Sequence, residues 1–198
     1  MPPIRFLLRC GERPGSAGAG SLEPVGGGLA VAIRPLLGDR DLAAMAELAA
    51  QSCDGSSALG VRWSADGFRA ELTSREGRRV HGWLAWPDGQ GHSAPPGAFG
   101  SAASSDGGLL PVGMVAVVDV GRKPLVRASI AWLLVHPAAR RRGVATALVR
   151  RALAEVGRLG GDGVSVETLS SWPAATAFWS QIAGRMELAA QGTGAGHG

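Results

Sequence analysis

A chain of 198 residues with 45% hydrophobic side chains is long enough for one domain with a real core and leaves little room for a second. Cys10 and Cys53 are too few for a disulfide scaffold and lack metal-ligand spacing. The four histidines are scattered, so no metal is expected. The net charge of +4 is local: residues 140–158 hold six arginines against one acid, Glu155, for +5, and the remainder sums to −1. A patch so concentrated suits a compact polyanion or a solvated helix face. Specific nucleic-acid binding is not expected, because no stacking aromatics interleave with the arginines. Asn and Tyr are absent and 19 of the 20 basic residues are Arg, the mark of a GC-rich genome, so no single missing residue type is read as functional.

At the N-terminus Ile4–Leu8 is an apolar run stopped by Arg9, too short for a signal peptide or a membrane span. The expectation is a cytoplasmic protein with no membrane partner. Residues 1–28 read as a flexible segment, Gly-rich from 11 to 28, in which residues 4–9 leave an extra strand open. From Leu29 the run LAVAIRPL is a strand. Asp39 can cap a helix to about Gln51 with Leu42, Met45, Ala46 and Ala49 on one face, and a weaker helix covers Ala65–Thr73. Arg79–Trp86 is a strand, and residues 87–110, rich in Gly, Ser and Pro, form a long surface loop. Val112–Val120 and Ala128–Val135 are nearly unbroken apolar runs, as strands covered on both faces require.

Gly143–Leu159 has the strongest helical pattern: Ala145, Leu148, Val149, Ala152, Val156 and Leu159 fall on one stripe and Arg150, Arg151 and Arg158 off it. A strand at Val164–Leu169, a short helix opened by Ser171-Trp172-Pro173, and a last strand near Met186–Ala190 follow. This order describes a single α/β domain over residues 29–190, with 191–198 as a flexible tail.

The chemistry concentrates where the strand ending at Val135-His136-Pro137 passes through Arg140-Arg141-Arg142 into a helix opened by Gly143-Val144-Ala145-Thr146. The first turn of a helix leaves N–H groups unpartnered and carries partial positive charge, so a pyrophosphate can dock there if the backbone is approachable. Gly143 and Ala145 permit that approach. The segment lacks the Gly-Lys-Ser/Thr ending of a Walker A loop and the Gly-x-Gly-x-x-Gly dinucleotide fingerprint.

Arg140-x-x-Gly143-x-Ala145, following strand, Val-x-Pro and basic turn, resembles the Gln/Arg-x-x-Gly-x-Gly/Ala signature of the GNAT N-acetyltransferase superfamily. The resemblance covers about residues 29–190. It implies a GNAT fold, a central mixed β-sheet flanked by helices, using acetyl-CoA as co-substrate. It further implies that Arg140, Arg141, Arg142, Gly143, Val144, Ala145 and Thr146 surround the pyrophosphate and that Leu134, Val135 and His136 pair with the pantetheine arm. Downstream, Val166-Glu167-Thr168 and Ser171–Trp179 resemble the family's Leu-Glu-Val…Asn-x-x-Ala-x-x-Phe-Tyr, with Ala175 and Phe178 at its Ala and first aromatic. Glu167 then falls where the ribosomal-protein alanine acetyltransferases keep a general base, and it can deprotonate an ammonium directly or through water; a strand-end carboxylate paired with an Arg is the alternative reading.

Two departures stand out. Trp172 replaces the family's Asn, and Trp179 replaces the Tyr that protonates the leaving thiolate. An indole N–H donates but does not titrate usefully. Trp63, Phe68, Trp83, Trp86 and Trp132 are candidates for an acceptor pocket or for core packing. The resemblance implies an acceptor that is a small-molecule amine or a peptide N-terminus. Three readings stand: an active N-acetyltransferase, a degenerate CoA-binding regulatory protein, and a nucleic-acid-binding protein. The seventh strand usual in the family is not evident, leaving its place to residues 4–9 or to the partner in a homodimer.

Overall fold

The computed structural model describes residues 3–10, 29–52, 64–73, 80–87, 110–119 and 128–193. Residues 11–28, most of the expected surface loop, Trp63 and the tail beyond 193 lie outside the described residues. In chain order the elements are β1 (Pro3–Arg9), β2 (Val31–Pro35), α1 (Asp39–Ser52), α2 (Ala65–Thr73), β3 (Val80–Pro87), β4 (Gly113–Asp119), β5 (Ala128–Val135), a 3-10 turn (Pro137–Ala139), α3 (Val144–Arg158), β6 (Gly163–Leu169) and α4 (Pro173–Thr193).

Six strands form one mixed sheet in the order β1-β6-β5-β4-β3-β2. All neighbours are antiparallel except β5 and β6. That parallel pair needs a crossover, which α3 supplies. Helices cover both faces, which is why Val112 and Met114–Val118 are buried without alternation. On one face Trp83, Ala85, Val115, Val117 and Ile130 pack with Val144, Leu148, Val149, Ala152 and Val156 of α3 and with Trp179 and Ile182 of α4. On the other, Leu84 and Met114 pack with Leu42, Met45, Leu48 and Ala49 of α1 and Phe68 of α2. Leu148 is wholly buried, so Leu148→Ala would cost about 2–5 kcal/mol.

Two features differ from the sequence reading, and the structure decides one that it left open. Met186–Ala190 is helical: it continues α4 rather than forming a final strand. Met, Glu, Leu and Ala are strong helix formers, and nothing in the run breaks the helix begun at Pro173. Residues 4–9 lie within β1, which is paired with β6 along its whole length from Pro3↔Leu169 to Arg9↔Gly163. The sheet thus draws its sixth strand from the N-terminus. Finally, Asp39 does not cap α1. Gly38 O accepts the amides of Asp41 and Leu42, and Asp41 Oδ2 reaches back to the Leu37 amide at 2.7 Å. Asp39 instead accepts from Arg69 at 2.9 Å, tying α1 to α2.

Candidate active site

The site begins with an irregularity in β5. Ala116 pairs with Trp132 and Val117 with Ile130, so Ala131 has no partner on β4 and forms a bulge. The extra residue reverses the side-chain phase. Ile130 enters the core under α3, whereas Trp132 and Leu134 enter the core under α1, and Leu133 and Val135 return to the first. Pairing of β5 with β6 stops at the same point, after Ile130↔Val166. Beyond it the two strands present unpaired edges to each other, Trp132–Val135 on one side and Glu167–Leu169 on the other. An extended chain bearing amides can lie between them and hydrogen-bond to the β5 edge.

At the top of β5 the chain turns into α3. Close approach of α3 to the sheet is set at Gly113, where an added Cβ would lie 2.9 Å from both Leu148 Cδ1 and Val144 Cγ1. His136 opens the turn: its Nδ1 accepts from Ala138 N at 3.3 Å. Burial, then the neighbouring Arg140 charge, hold its imidazole below the usual pKa, so the neutral form that can accept this bond is favoured. Ala139 is fully buried beneath the turn. Arg141 (φ 64°) and Gly143 (φ 83°) are both left-handed. For Arg141 this backbone costs about 1–2 kcal/mol, held against the surrounding structure.

The first intrahelical bond of α3 runs from Ala147 N to Gly143 O, and Gly143 offers no side-chain cap. Among the described residues no backbone carbonyl pairs with the amides of Val144, Ala145 and Thr146, which stand at the positive end of a helix of 15 residues and can take an outside acceptor. An added Cβ on Gly143 would meet nothing within 4 Å beyond its chain neighbours. The residues present fit a diphosphate.

The three arginines of the turn divide their work. Arg140 donates from Nε to Val135 O at 3.2 Å and from Nη2 to Ser52 O at 2.8 Å. Its guanidinium ties the turn to the end of α1. Arg141 and Arg142 are exposed, and no carboxylate among the described residues pairs with them. Farther along α3, Arg151 and Arg158 are drawn to Glu155.

Opposite, α4 starts where β6 ends, with Trp172 N donating to Leu169 O at 3.0 Å. Ala175 and Phe178 are half-buried against the core that holds α3. Trp179 is 5% exposed and meets Phe178 edge-on at 4.9 Å. Trp172 stands exposed at the head of α4.

Glu167 lies on the sheet face of Trp132 and Leu134, in the unpaired stretch of β6. It is opposite Arg5 in the β1–β6 ladder, and Arg5 Nε sits 2.6 Å from Glu167 Oε1. Which arginine would pair with Glu167 was not legible in the sequence, because the two stand far apart in the chain and only the pairing register joins them. Of the candidate aromatics, Trp83 and Phe68 are core residues, whereas Trp86 and Trp132 are half-buried, with Trp132 edge-on to Phe68 at 5.1 Å. No cluster of His, Cys, Asp or Glu fit to hold a metal occurs among the described residues. Nor is any described helix long and apolar enough to cross a membrane.

The model of the acetyltransferase (GNAT) family matches residues 61–184. Among solved structures, a GNAT-family protein from Desulfovibrio desulfuricans superposes with a TM-score of 0.56 at 14% identity, over 77% of this chain and 84% of that one. Ribosomal-protein-alanine N-acetyltransferase from Brucella melitensis gives 0.50 at 20% identity, over 78% and 91%. An aminoglycoside N-acetyltransferase in complex with CoA gives 0.50 at 17%, over 78% and 88%. At these identities the structural likeness speaks to the fold alone. No curated protein matches the sequence.

Proposed function

The chain belongs to the acetyltransferase (GNAT) family, and on that footing we propose that it is a cytoplasmic N-acetyltransferase moving an acetyl group from acetyl-CoA to a primary amine. One observation carries the reading: the β5–β6 opening at the Ala131 bulge leads to the three free amides of α3. Those amides, with Arg141 and Arg142, would hold the pyrophosphate. The free edge of Leu134–His136 would take the pantetheine amides, and acetyl-CoA would supply the activated acetyl group. Glu167, across the opening, would take the proton from the acceptor ammonium so that its lone pair can attack.

The second reading, a CoA-binding protein without turnover, draws on Trp179, whose indole is packed in the core where the family keeps a phenol. Free-thiol release from acetyl-CoA over a broad panel of amines separates the two. Acetyl-CoA-dependent turnover of any amine supports the first. Tight CoA binding, read as a raised melting temperature, without turnover of any amine leaves the second.

A further inference from the structure

We propose that the acceptor is a free α-amino acid, with Arg5 taking its carboxylate while Glu167 takes its ammonium. The inference rests on the acetyltransferase reading and adds the substrate class. Arg5 and Glu167 are 76% and 53% exposed, so their ion pair is screened by water and contributes little to stability. Both therefore remain available to a ligand. Arg5 spends Nε on Glu167 Oε1, and among the described residues no other charged partner holds it. Among the described residues its two terminal nitrogens have no carboxylate partner, so they can form the forked pair with a ligand carboxylate. Glu167 likewise keeps a second oxygen.

The dyad is thus a cation and an anion 2.6 Å apart on one open face. An α-amino acid presents the complementary pair, ammonium and carboxylate on one carbon. A peptide N-terminus or a simple alkylamine has only the ammonium. The neighbouring surface is apolar: Leu7, two residues along β1 on the same face, is 50% exposed. Trp132 and Leu134 lie on the other side of the opening. A side chain such as that of leucine or phenylalanine can lie on either.

The test compares kcat/KM for L-leucine and L-phenylalanine with that for isopentylamine and phenethylamine, which lack only the carboxylate, and with phenylalaninamide. A charge-assisted bond predicts the amino acids preferred by about 10- to 100-fold, and Arg5→Leu should erase that ratio while Arg5→Lys restores part of it. Melting temperatures of both variants monitor the fold. Turnover of the amines with no preference for the carboxylate, or a preference that Arg5→Leu leaves intact, overturns the assignment alone. Absence of thiol release with every compound overturns it together with the acetyltransferase reading.

Discussion

Gly143 is where the backbone geometry and the proposed cofactor site coincide, so Gly143→Val is the most informative perturbation. Its φ of 83° is one that a β-branched residue rarely adopts, and the left-handed backbone should cost about 1–2 kcal/mol or more. For a chain of this size that lowers Tm by roughly 2–8 °C, and the fold should survive, because an added Cβ meets no atom within 4 Å. On the proposed reading, the added side chain would stand beside the diphosphate held by the amides of Val144, Ala145 and Thr146. If two amide contacts of about 1.5–3 kcal/mol each are lost, CoA affinity should fall roughly 10²–10⁴-fold. Calorimetric titration with CoA reads the loss, and acetyl-pantetheine, which has no pyrophosphate, provides the internal control. Its kcat/KM should change far less. A folded variant that binds CoA as tightly as the parent, or one that loses acetyl-pantetheine equally, would refute the placement of the pyrophosphate.

The other arginines and acids separate structure from chemistry. Arg140→Ala releases Val135 O and Ser52 O and should destabilise the fold by about 1–3 kcal/mol in urea melts, whereas Arg142→Ala should leave the melt alone, weaken CoA and flatten the salt dependence of binding. The reverse pattern would mean their roles are exchanged. Hydrogen bonding from Arg158 holds the Glu155 carboxyl below its ordinary pKa, so its stabilisation is present above that value and is lost as pH falls through the lower folded one. Glu155→Gln should therefore be less stable near neutrality and show a shallower acid limb in urea midpoints; an unchanged limb would assign the acid sensitivity elsewhere. Glu167→Gln should lower kcat by ~10²–10⁴-fold with little change in CoA affinity, the deficit shrinking as pH approaches the amine's own value of about 10. A near-parent kcat at every pH would mean that water or another group takes the proton.

Periodicity made most of the elements legible, because their patterns are local. The α3 stripe and the two unbroken strands place the basic turn at the head of a covered helix, and the matched motif follows from that. What escaped depends on distance in the chain. The Arg5–Glu167 pair exists only because β1 adds antiparallel to β6 with Arg5 opposite Glu167. A one-residue slip would send Arg5 to the face packed against α3 and α4. The bulge at Ala131 leaves no mark in ASIAWLLV, whose apolar character is the same in either phase. Arg140 illustrates a third limit: its type and place suit a phosphate ligand, and only the nearness of Ser52 O turns it inward.

The N-terminal position of β1 also bears on the missing strand and the missing phenol together. With β6 already paired along its outer edge by β1, nothing requires the chain after β6 to return as a strand, and α4 can run on through Thr193. Its inner stripe then packs as core: Trp179 and Ile182 are buried in the cluster that holds α3, where the indole supplies a large apolar surface. With no tyrosine in the sequence, the proposed transfer would draw the proton for the leaving sulfur from solvent or from the acceptor's own nitrogen. The open face around Glu167 supplies the first directly. On the proposed reading the same exposure that admits a zwitterionic acceptor also admits the water that completes the transfer.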